Sequence, residues 1–154
     1  MAARVCNIAK GKIGYYAGLP GSDDALILVL IQAGTDDLDD LVDDTTLAEI
    51  LANNSECDFS GYARRTLTTV AWTVDNALDL AKATADNPAA WTRSGGSSQA
   101  SAYACVAYDP DTTGGTDADV IPLAVYDCAV TFDDGVATSV SFHADGVMVA
   151  EEPS

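Results

Sequence analysis

A chain of 154 residues, 48% apolar and 20% charged, can bury roughly 68–70% of its unfolded surface without disulfide or metal staples, and its composition is neither disordered nor fibrous. Twenty-four acidic against seven basic residues give a net charge of −17, which argues against nucleic acid and anionic membranes as partners, because Lys and Arg contacts to phosphate supply most of that affinity. The longest apolar run, Ala25–Ile31, falls far short of the ~20 residues that span a bilayer, and an N-terminus with Arg4, Lys10 and Lys12 scattered through it does not read as a secretory signal.

In chain order, Val5, Ile8, Ala9, Ile13 and Tyr16 recur at three- and four-residue steps and predict an amphipathic helix over 4–16, weakened by Gly11 and Gly14. A turn at 18–22 leads into Ala25–Ile31, apolar without alternation, which reads as a fully buried central strand. The acid-rich stretch 35–44 reads as a solvated face with Leu38, Leu41 and Val42 turned inward. Asp44 or Thr45 is the expected N-cap of a short helix through Leu47, Ile50 and Leu51, stopped by Asn53-Asn54-Ser55. Residues 59–75 have β character, Asp75-Asn76 turns the chain, and Leu78–Thr84 alternates again. Asp86-Asn87-Pro88 makes the next turn, and Arg93–Ser98 is an expected flexible loop. Strands follow at 101–108, 119–126, 129–132, 137–142 and 147–150, with turns at Asp133-Asp134-Gly135 and Ala144-Asp145-Gly146. The pattern predicts a single α+β domain over 1–154, its N-terminal helical segments packed on a predominantly antiparallel β sandwich or barrel-like sheet.

No catalytic, cofactor-binding or metal motif emerges. The four cysteines, Cys6, Cys57, Cys105 and Cys128, are widely spaced without a C-x-x-C and read as reduced thiols. The lone histidine, His143, has no nucleophile elbow or cysteine signature to serve. The loop Asp109–Val120 superficially resembles a calcium loop, but Pro110, Thr113 and Val120 occupy positions that should carry other residues. The stretches 11–14 and 93–98 lack the strand, glycine loop and helix order of a phosphate cradle. Tyr15, Tyr16, Trp72 and Trp91 are candidate interface anchors, with Trp72 the better fit to the core.

Several segments, NIAKGKIGYY at 7–16, ALILVLIQAG at 25–34, TTLAEILANNSECDFSGYARRTL at 45–67 and YDPDTTGGTDADVIPLAVYDCAVTFDDG at 108–135, resemble a family of small virion structural proteins encoded by tailed phages of actinobacteria. The resemblance implies a non-enzymatic particle component. Within that class a capsid decoration protein is favoured, a homo-oligomer (trimer or other local-symmetry assembly) that binds the major capsid protein on the capsid exterior. A tail or head–tail component is the alternative, and an acidic binder of a host factor a further one. All seven cations lie at Arg4, Lys10, Lys12, Arg64, Arg65, Lys82 and Arg93. The capsid-facing side is therefore expected to present Arg4, Ile8, Lys10, Lys12, Tyr15, Tyr16, Arg64 and Arg65, and Arg64→Glu with Arg65→Glu to weaken capsid binding without unfolding the protein. The alternative is that these cations only offset the surrounding acids.

Overall fold

The N-terminal segment is three short pieces rather than one helix, in a computed structural model that describes residues 3–75, 80–142 and 147–151. Ala3–Val5 form strand β1, Asn7–Ala9 a 3-10 turn, and Ile13–Ala17 helix α1. Gly11 interrupts the helical path at φ +78°, a left-handed conformation that a side chain disfavours. The apolar residues do point inward, but into two places. Cys6 and Ile8 join one core cluster, while Ala9, Ile13 and Tyr16 join another. An amphipathic period can thus be mimicked by a chain that rounds the edge of a sheet.

Ala25–Ile31 form β2, buried at every residue as the apolar run predicts. Two short helices follow, Leu38–Leu41 (α2) and Leu47–Asn53 (α3). Each opens with a capping box, Asp37 with Asp40 and Thr46 with Glu49, which satisfies orphan backbone donors of the first turn. The cap of α3 is therefore Thr46, not Asp44 or Thr45, because only Thr46 stands three residues before Glu49. The later chain is extended: Arg65–Thr66 (β3), Ala71–Asp75 (β4), Leu80–Thr84 (β5), Trp91–Thr92 (β6), Gln99–Asp109 (β7), Ile121–Phe132 (β8), Ala137–Thr138 (β9) and Met148–Glu151 (β10).

Among the described residues every ladder between named strands is antiparallel, in three sheets ordered β1-β8-β7-β2-β3, β10-β5-β4 and β6-β9. The segments expected as two strands, 119–126 and 129–132, are the single strand β8. Asp127 does not break it, since that side chain is exposed while Cys128 is buried, and the alternation runs through. Pro122 lies where the β7–β8 register slips, opposite Ala107, a position where a residue without an N–H is tolerated. Of the expected strand 137–142, Ala137–Thr138 pair with β6, and no further pairing of it is present among the described residues. Asn76, Leu78, His143 and the turn 144–146 lie outside the described residues.

Alternation along β2 divides the core. Ile27, Val29 and Ile31 cluster with Cys105, Val125, Leu41, Leu47 and Ile50, so α2 and α3 contribute to this side. Leu26, Leu28 and Leu30 cluster with Val106, Leu123, Ile13, Tyr16, Ala83, Trp91, Phe132 and Met148 on the other. The acid run keeps its charges outside while Leu41 is fully buried and Leu38 and Val42 are half-buried.

Asp44, at the α2–α3 junction, is the exception. Its Oδ2 is buried with no hydrogen-bond partner among the described residues. Burial, then the charges of Asp36, Glu49, Asp43 and Asp40, push its pKa from 3.8 up to about 6. The native state binds the additional proton between these values, so this group's contribution to stability falls as pH rises from 3.8 to about 6. Asp44→Asn is therefore expected to stabilise the protein at neutral pH by about 1 kcal/mol, after discounting for solvent screening, and to flatten the pH dependence in that interval. Urea midpoints measured below and above the interval check this; an equal gain at both would assign the effect to packing and not to ionisation.

Candidate functional site

Of the eight residues expected to share one docking face, Arg64, Tyr16 and Ile8 are engaged internally, and the other five fall into three places. Arg4 on β1 makes an exposed ion pair with Asp39 at 2.7 Å, an arrangement that contributes little on its own. Arg65 is on β3, at the opposite edge of the five-stranded sheet. Four strand spacings, about 19 Å, separate these edges. Lys10, Lys12 and Tyr15 form the third place, at the start of α1.

Arg64 is committed internally. Its Nε donates to both oxygens of Glu56 (2.9 and 3.2 Å), its Nη2 to Glu56 Oε2 (2.6 Å) and its Nη1 to Asp117 Oδ1 (2.6 Å). The Tyr62 hydroxyl donates to Glu56 Oε1 at 2.8 Å and accepts the Leu30 N–H at 3.1 Å. Hydrogen bonding to Glu56, then to Asp117, raises the Arg64 pKa well above its ordinary value despite the opposing effect of burial, and burial raises the Tyr62 phenol likewise. Arg65 donates through Nη2 to the Ala90 carbonyl at 3.0 Å and lies 5.1 Å above the Trp91 ring. Replacing both arginines with glutamate would leave three carboxylates in a half-buried cluster, so this double reversal is expected to destabilise the fold and not only to affect docking.

Tyr16 is also inward, buried against Tyr108 at a ring-centroid distance of 5.0 Å, and Ile8 is half-buried in the α2–α3 side of the core. Lys10 Nζ donates to Asn7 Oδ1 at 2.5 Å. Lys12, the N-cap residue of α1, is exposed, and Tyr15 is 61% exposed.

Helix α1, which carries Tyr15, meets β4 along a seam at Gly14. The Trp72 indole lies so close over Gly14 that an added Cβ would meet it at 2.9 Å, so glycine is what lets helix and strand touch. Val74, two residues along the strand and therefore on the Trp72 face, is 59% exposed. β4 is the edge of its sheet. Trp72 and Val74 thus lie along a strand edge that is open among the described residues, next to the helix that carries the exposed Tyr15 and Lys12. Trp72, expected in the core, is half-buried here, and Trp91 is the tryptophan the core encloses. The sequence marks Val74 only as part of the β character of 59–75; its i, i+2 relation to Trp72 was the signal that the two share a face.

The acids of the loop 109–120 are engaged with their own surroundings. Asp111 Oδ1 accepts from Thr113 N (3.0 Å) and Oγ1 (2.6 Å), and Asp119 Oδ2 from Thr116 N (3.0 Å) and Oγ1 (2.9 Å). The backbone N–H groups of Leu47 and Ala48 donate to the carbonyls of Val120 (2.9 Å) and Asp117 (3.0 Å). Among the described residues no group of three or more His, Cys, Asp or Glu is placed to hold a metal ion. All four cysteines are buried and unpaired. Burial is the main cause that pushes Cys6 and Cys57 up to about 12 and raises Cys105 and Cys128, so none is a thiolate at neutral pH. No family model, curated protein or solved structure matches this chain.

Proposed function

We propose that the chain is a non-enzymatic virion structural protein of a tailed phage that decorates the outer capsid surface by binding the major capsid protein as a homo-oligomer. The observation that carries this reading is the junction of two segments on which the resemblance rests: Arg64 of FSGYARRTL bonds Asp117 of YDPDTTGGTDADVIPL at 2.6 Å. This bond ties the 109–120 loop to the edge of the five-stranded sheet, which suits a part that must hold its shape in a particle. In this reading the helical segments pack on a β sandwich and form one stiff body with it. The α1–β4 region is its docking surface, because α1 opens with an exposed lysine and tyrosine and adjoins a strand edge that is open among the described residues, the composition of an interface anchor. Self-association at a local symmetry axis adds avidity to modest single contacts.

Co-sedimentation with undecorated capsids of the parent phage tests this. Saturation at a fixed ratio to the major capsid protein is expected. Tyr15→Ala should weaken binding by about 2 kcal/mol, roughly 25-fold in Kd, without changing the melting temperature. Pelleting with tails but not capsids would replace decoration with a tail role. Pelleting unaffected by Tyr15→Ala would remove the seam as the docking surface.

A further inference from the structure

A second feature, away from the seam, is the connection from β6 to β7. Residues 93–98 line an open, shallow cleft of about 790 Å³ together with Ser60, Phe59, Gln32 and Gln99. Phe59 stacks on Phe132 at a centroid distance of 4.6 Å and gives the cleft an apolar wall.

Arg93 lines this cleft and is only 2% exposed. Among the described residues no carboxylate lies within 4.0 Å of its guanidinium. Its hydrogen bond is from Nη2 to the neutral carbonyl of Gly95, at 2.5 Å. The nearby carboxylates are bonded elsewhere. Asp134 accepts the Gly95 N–H at 2.5 Å, and Asp58 accepts from Gln99 Nε2 at 2.7 Å. Buried arginines are ordinarily paired with an anion. A guanidinium offers five donors in a planar fork, and here a single backbone oxygen takes one. Two serine hydroxyls on the wall, Ser60 and Ser94, stand 3.1 Å apart, and Ser97 and Ser98 add further donors. Gly96 closes over the guanidinium, where a Cβ would come to 3.3 Å of Nη2.

We propose that this cleft is a binding site for a small oxyanion, a phosphate or a carboxylate, with Arg93 as its charge partner and the serines as supporting donors. The chemistry differs from that of a helix-capped phosphate loop: the charge comes from a buried side chain rather than a helix N-terminus. The overall negative charge does not forbid it, since charges beyond about 8 Å are largely screened at physiological ionic strength.

The test is an NMR titration of ¹⁵N-labelled protein with sodium phosphate, and separately with sodium acetate, at constant ionic strength balanced with sodium chloride. Saturable shifts are expected at the Arg93 Nε–H and at the Gly95, Gly96, Ser97 and Ser98 amides. Tighter saturation by phosphate would identify the ligand as a phosphate, and by acetate as a carboxylate. Ser97→Glu places a negative charge at the exposed lip without touching the core and should weaken the apparent Kd at least fivefold; Arg93→Gln should abolish saturation. Because Arg93→Gln can fail through misfolding, the Ser97→Glu result decides. Linear, unsaturated shifts with both anions, or a Kd unchanged by Ser97→Glu, would overturn the proposal.

Discussion

Arg64→Glu is expected to destabilise the protein by about 3 kcal/mol, within the range for breaking a largely desolvated ion pair and reduced for partial exposure. The substitution removes four hydrogen bonds to Glu56 and Asp117 and adds a third carboxylate between them. Glu56 would keep only the Tyr62 hydroxyl, and that hydroxyl anchors the Leu30 amide, so the disturbance reaches β2, the most buried strand. In a chain of this length the melting temperature should fall by roughly 6–12 °C. Arg64→Lys separates charge from geometry. It keeps the cation but cannot form the two-pronged bond to Glu56, and should cost about 1 kcal/mol. Urea denaturation with unchanged m-value checks both; a loss below about 0.5 kcal/mol for Arg64→Glu would mean the triad is a surface ion pair of no consequence.

The parts of the fold visible in the sequence are those fixed by local pattern. Seven apolar residues at 25–31 with turn-rich flanks could be little other than a central strand, and the helix ending at Asn53 followed from its apolar spacing. The segment 4–16 misled because its period is satisfied by residues entering two different core clusters, a distinction that only the path of the chain around β1 and β8 creates. The site was harder for the same reason. Tyr15 and Tyr16 are neighbours in sequence, yet one helical step of about 100° turns one outward and the other into the core. Arg64 and Arg65 looked like free surface cations because nothing local marks their partners: Asp117 lies 53 residues on, in the loop between β7 and β8, and the Trp91 beneath Arg65 arrives with β6. Charge is easily read from a sequence, but whether a charge is already neutralised is a long-range property.

Trp91→Ala is expected to have the largest effect of any single truncation, about 4–5 kcal/mol. Removing a fully buried tryptophan leaves a cavity that costs about 3–5 kcal/mol, and the lost hydrogen bond from Nε1 to the Ala63 carbonyl, 2.8 Å long, adds about 1 kcal/mol. Three side chains lose a neighbour at once: Phe132 in an edge contact at 6.3 Å, Tyr62 stacked at 6.4 Å, and the Arg65 guanidinium at 5.1 Å. Since total stability is about 5–15 kcal/mol for a domain, this is a large share of it, and the melting temperature should drop by more than about 8 °C. Trp91→Phe fills most of the volume and loses the N–H, so it should cost about 1–2 kcal/mol. With Trp91 gone, Trp72 is the remaining tryptophan, and the emission should shift to the red because that ring is half-exposed at the α1–β4 seam. The colour of the variant thus reports the seam while its melting reports the core. A blue emission in Trp91→Ala would place Trp72 in an apolar interface already formed, which is the result expected if the seam joins copies of the chain before any capsid is met. Comparing emission across a dilution series distinguishes the two, because only a ring covered by a second copy turns red as the protein is diluted.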